Sequence, residues 1–95
     1  MPVPTQITQI DDQERKILRV EGSLTLEDAE LLERICAGLR QQGDRITLDL
    51  ADLSFLDTES ASVLCRLKRQ QGVSLEGVHQ FVQKMIELVE RTDAA

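Results

Sequence analysis

Apolar and polar residues alternate strictly over Ile46-Thr47-Leu48-Asp49-Leu50 and again over Val73-Ser74-Leu75-Glu76. A period of two belongs to a strand whose two faces meet different surroundings. A strand covered by helices on both faces reads instead as an unbroken apolar run. Thr47 and Asp49 are therefore expected on a face that meets water or stays poorly covered, and the helices on the other face. Two further strands are expected earlier in the chain. Thr5–Ile10 carries β-branched apolar residues and stops at Asp11-Asp12, and Lys16–Val20 stops at Glu21-Gly22-Ser23. A turn at Asp11–Glu14 would join them as an antiparallel hairpin.

Three segments change to helical spacing. Thr25 opens the first, with an acid three residues later at Asp28, the order of a capping box. Leu26, Ala29, Leu32, Ile35, Cys36 and Leu39 form its apolar stripe, and Gly43 is its stop. The second starts at Asp57 or Thr58 and runs to about Gln71, with Ala61, Leu64, Cys65 and the Lys68 stem on one stripe, flanked by Val63 and Leu67. The third spans about His79–Arg91, with a stripe of Phe81, Val82, Met85, Leu88 and Val89. The order is β-β-α-β-α-β-α. Strands joined through a helix run parallel with a right-handed crossover, so an α/β fold follows: a mixed four-stranded sheet with helices on one face. Residues 1–95 make one domain, with 1–6 and 92–95 as loose ends.

Composition narrows the function. Leu, Ile, Val and Phe supply about three residues in ten, above the roughly 20% below which disorder is the better expectation. With 11 basic against 17 acidic residues, a net charge of −6 and two aromatic residues, Phe55 and Phe81, the chain is a poor nucleic-acid binder. It lacks both counterion-releasing cations and stacking rings. No apolar stretch is long enough to span a membrane, and Met-Pro-Val-Pro-Thr-Gln lacks the order of a signal peptide. A cytoplasmic location without membrane insertion is expected. Cys36 and Cys65 are expected as buried, reduced packing residues. His79, the single histidine, has no companions spaced for a metal site. No cofactor is expected, since the glycines are isolated. Asp49, Asp52 and Asp57 are acids near a loop, but no nucleophile–base pair accompanies them, so catalysis is not expected.

The least generic segment is Asp49-Leu50-Ala51-Asp52-Leu53-Ser54-Phe55-Leu56-Asp57-Thr58-Glu59-Ser60-Ala61. A strand ends, a short apolar loop follows, and a polar run opens a helix. The first turn of a helix has free N–H groups and partial positive charge, which favour an acid there on structural grounds alone. The segment also resembles the signature of the STAS family, the bacterial anti-sigma factor antagonists and their relatives. That signature is a strand ending Asp-Leu, an apolar loop, then Asp-Ser-Ser-Gly-Leu at a helix start. Here Asp57 takes the Asp and Thr58 the first Ser. Glu59 stands at the second Ser, Ser60 at the Gly and Ala61 at the Leu. The second Ser is the family's usual phosphoacceptor, and a carboxylate cannot take its place as substrate of a Ser/Thr kinase. It carries about −1, where phosphoserine carries about −1.5 to −2.

The resemblance implies an anti-sigma factor antagonist-like protein that acts by protein–protein contact. Its surface would be the loop Leu53–Leu56 with Asp57, Thr58, Glu59, Ser60 and Ser62. Asp57 would fix the loop, Glu59 would supply a constant charge, and Thr58, Ser60 or Ser62 would be a relocated phosphoacceptor. The implied partner is an anti-sigma factor with a kinase-like ATP-binding fold. The alternative is an ABC-transporter ATPase subunit, because STAS subunits of phospholipid-trafficking systems carry Asp-Thr where this chain has Asp57-Thr58. The exposed sheet face is a candidate homodimer contact. Arg66, Lys68 and Arg69 fit either a patch for an acidic partner or favourable charge near a helix C-terminus.

Overall fold

The computed structural model describes residues 4–13 and 15–93. Strand β1, Gln6–Asp12, pairs antiparallel with β2, Arg15–Leu24, up to the pair Asp12↔Arg15. The hairpin turn is thus narrower than Asp11–Glu14, with Gln13 in the left-handed region at φ 55°; Glu14 lies outside the described residues. Helix α1 is Leu26–Gln41, β3 is Arg45–Asp49, β4 is Leu53–Leu56 and α2 is Thr58–Gln70. Strand β5, Ser74–Glu76, and helix α3, Gln80–Asp93, complete the chain. Gln6 and Asp93 therefore belong to elements, although both fall within the spans read as loose ends; residues 1–3, 94 and 95 lie outside the described residues.

The sheet follows the order β1-β2-β3-β5, with β3 parallel to both β2 and β5. The mixed sheet and three helices are those expected, but a fifth strand is added. Leu53–Leu56, read as a loop, is β4, and it pairs with the tail of β2. Strand β2 is not broken at Gly22. It meets β3 over Arg15–Arg19, bends at Gly22 (φ 80°), and offers Gly22–Leu24 to β4 with a register shift at Gly22/Ser23. A glycine with positive φ produces a bulge that re-aims the strand. Neither strict alternation nor a long apolar run marks β4, so the sequence pattern does not reveal it.

Leu18 and Val20 of β2, with Ile46 and Leu48 of β3, join one buried cluster with Ala29, Leu32 and Cys36 of α1. Val82, Ile86 and Val89 of α3 close it. Helix α2 buries Ser60, Ala61, Val63, Leu64, Cys65 and Leu67, because it lies between α1 and α3. Both cysteines are buried as thiols. On α3, Phe81 and Leu88 are exposed, so they do not belong to the buried stripe. Leu26 is exposed as well, and Thr25 makes no side-chain cap: its hydroxyl donates to Asp28 Oδ2 at 3.4 Å instead of serving the backbone.

The opposite face of the sheet carries Arg15, Ile17 and Arg19 beside Thr47 and Asp49. It is laced by charge pairs, Arg15 to Asp12 at 3.3 Å and to Glu76 at 3.5 Å, and Arg19 to Asp49 at 3.6 Å. Thr47 itself is only 3% exposed. It lies in the middle of the sheet, between its ladder neighbours Ile17 and Ser74.

Candidate functional site

Strand β4 delivers the chain to α2. Leu53 and Leu56 anchor it in the core, whereas Ser54 is exposed and Phe55 presents a ring that is 51% exposed. Asp57 then takes an extended conformation as N-cap, and its Oδ1 accepts the Ser60 N–H at 2.8 Å. That bond satisfies one of the helix's free donors and fixes the direction in which α2 sets out. Asp57 thus holds the helix start rather than the preceding segment.

Thr58 and Glu59 occupy the first turn and are exposed. Ser62 is half-buried, and its hydroxyl donates to the Thr58 carbonyl at 3.2 Å. Ser60 departs from expectation. It is completely buried, and its Oγ has no hydrogen-bond partner. Helix α2 has neighbours on both sides, and this first-turn position is enclosed among them. Ser60 is accordingly neither a contact residue nor a phosphoacceptor in the folded protein. The site that remains is Phe55, Thr58 and Glu59, with Ser62 at its edge and Asp57 beneath.

The segment before β4 is fastened from three directions. Asp49 Oδ1 accepts the Ala51 N–H at 3.0 Å, and Leu50 N–H donates to the Glu76 carbonyl at 2.9 Å. His79 Nε2 donates to the Ala51 carbonyl, and its ring stacks on Phe81 with centroids 6.1 Å apart. Gly77 (φ 65°) comes so close that a Cβ there would sit 2.8 Å from Ala51 Cβ and from Ala51 N. The β5–α3 connection therefore braces the loop that leads to the site. Neither support is legible in the sequence, because an isolated glycine and a single histidine mark no contact across 26 and 28 positions.

Arg66 forks onto Glu33, with both contacts at 3.1 Å, and this raises the Arg66 pKa above its usual value. Arg69 reaches Glu90 at 4.0 Å. These residues join α2 to its neighbours and do not form a free basic patch; Lys68 is exposed. Among the described residues no group of His, Cys, Asp and Glu could hold a metal ion, and no helix is long and apolar enough to cross a membrane.

A family model described as "Mlab, STAS domain" matches residues 8–92. Among solved structures, the chain is similar to the antisigma-factor antagonist STAS domain from Rhodobacter sphaeroides. The identity is 24%, the match covers 77% of this chain and 86% of that one, and the TM-score is 0.56. No curated protein matches.

Proposed function

Because the chain belongs to the STAS domain family, we propose that it acts as an anti-sigma factor antagonist-like regulator, docking a partner protein on the tip of α2. One observation carries this reading: Thr58 and Glu59 stand exposed on a helix start whose direction Asp57 fixes at 2.8 Å and whose approach is braced by Gly77 and His79. A pre-ordered surface loses little entropy on binding. Phe55 adds an exposed aromatic anchor, a residue type enriched at interfaces. Glu59 supplies a constant charge where the family usually places a phosphorylatable Ser. Among the hydroxyl residues of this helix start, Thr58 is the exposed one and is the candidate phosphoacceptor.

The proposed partner is an anti-sigma factor with a kinase-like ATP-binding fold. A second reading is an ABC-transporter ATPase subunit, favoured by the pair Asp57-Thr58 that the transporter-associated branch carries. Affinity capture from source-cell lysate with mass spectrometry separates them. The wild-type bait is expected to retain a kinase-like protein, and Thr58→Glu to lose it, since a second charge then stands beside Glu59. Recovery of a transport ATPase alone reverses the order of the two readings. Equal retention by wild type and Thr58→Glu discards the surface.

A further inference from the structure

At the other end of α2 the molecule has a polar cleft of about 450 Å3, between the N-terminal ends of the parallel strands and the loops that follow α1 and α2. Arg15, Arg40 and Arg45 line it, with Gln71, Ser74 and buried Thr47. Asp44 and Glu76 are the acids on its wall. Three arginines from three separate elements converge here in a chain whose net charge is −6.

The fold alone accounts poorly for this cluster. Arg40 lies in the last turn of α1, where a cation is favourable. Arg15 and Arg45 have no such reason, because they sit on strands. They are direct partners across the β2–β3 ladder, and like charges in that position destabilise a sheet. Arg15 is partly neutralised by Asp12 and Glu76. Among the described residues, neither Arg40 nor Arg45 has an ion-pair partner. Gln71, half-buried on the same wall, adds a neutral side-chain amide. An amide offers N–H donors to an anion as well as an acceptor.

We propose that this cleft binds the phosphate of a small phosphoester. Guanidinium forks match phosphate oxygens in pairs of parallel hydrogen bonds. An anion there would cancel the repulsion between Arg15 and Arg45. The volume lies within the range of small-molecule sites, so Gln71 and the Ser74 hydroxyl are left for the organic part. The site is separate from the α2 tip and does not rest on the reading given for it.

Isothermal titration of the full chain with inorganic pyrophosphate and with ADP, in chloride buffer, tests the assignment. Saturable binding of either is expected, at least tenfold weaker in Arg40→Gln and in Arg45→Gln. Arg34→Gln, which removes an exposed arginine elsewhere on α1, is expected to bind as wild type. Tighter binding of ADP assigns a nucleotide, and equal binding assigns the phosphate alone; both support the site. Ligand-free Arg45→Gln is expected to melt no lower than wild type. No saturable binding of either probe, equal loss in Arg34→Gln, or a lower melting point for Arg45→Gln overturns the proposal. So does capture of an acidic protein at this cleft without affinity for the phosphates.

Discussion

Two buried residues carry opposite lessons about polarity in the core. The Ser60 hydroxyl is enclosed without a partner, and such a group costs roughly 1–3 kcal/mol relative to a satisfied one. Ser60→Ala removes the orphan, keeps the backbone N–H that Asp57 accepts, and improves helix propensity. It is expected to stabilise the fold by about 1 kcal/mol, read as a higher urea midpoint at unchanged slope; a lower midpoint would mean that the hydroxyl has a partner after all. Cys36 shows the case of an ionisable group. Burial, helped by nearby Glu33, pushes its thiol up to about 11 from an ordinary 9.0. The folded state therefore holds a proton that the unfolded chain releases at lower pH. The resulting stability is complete below pH ~9 and disappears as the pH climbs from ~9 to ~11, to a total of about 2–3 kcal/mol. Denaturant titrations across that window are expected to show a falling midpoint in the wild type and a much flatter one in Cys36→Ala, compared at equal pH.

At the scale of elements, the connection between β5 and α3 is the support most open to disruption. A side chain at Gly77 would meet the backbone of Ala51, which cannot retreat as a flexible side chain would, and φ 65° is costly for any L residue. Gly77→Ala is expected to destabilise by about 1–3 kcal/mol. It should also shift the amide resonances of Ala51 and Asp52 in an NMR spectrum; unchanged shifts there would separate the loop from the brace. This element also marks how far the sequence could be read. Strict alternation located β3 and β5, and the helical stripes located all three helices, because each pattern reports one buried face. Asp57 at a helix start was legible for the same reason: few residue types serve as N-caps. The addition of β4 was not legible. Its pairing depends on where Gly22 sends the tail of β2, a geometric event with no periodic trace. The burial of Ser60 was equally hidden. Spacing placed it on α2, but α2 has neighbours on both sides, so a position at the edge of one stripe became interior.

On the scale of the whole molecule, the described residues form a slab about 22 Å thick in its thinnest direction, enough for one sheet and one layer of helices. Parallel strands and the helices that follow them give such a slab two distinct ends. The C-terminal ends of the strands present helix starts, including the tip with Thr58 and Glu59. The N-terminal ends present the arginine cleft. Helix α2 runs between them over 13 residues, about 20 Å at 1.5 Å per residue. Sites that far apart without shared partners act additively within roughly 0.5 kcal/mol, unless an element between them has two arrangements. Helix α2 packs against both α1 and α3, and dense packing on two sides favours a single arrangement. Glu59→Gln is therefore expected to leave pyrophosphate affinity unchanged, and Arg40→Gln combined with Arg45→Gln to leave partner capture unchanged. A double-mutant cycle with Glu59→Gln and Arg45→Gln measures this directly. A coupling clearly above ~0.5 kcal/mol would show that α2 transmits a signal, and the protein would then be a sensor that reports an anion at one end to a partner at the other.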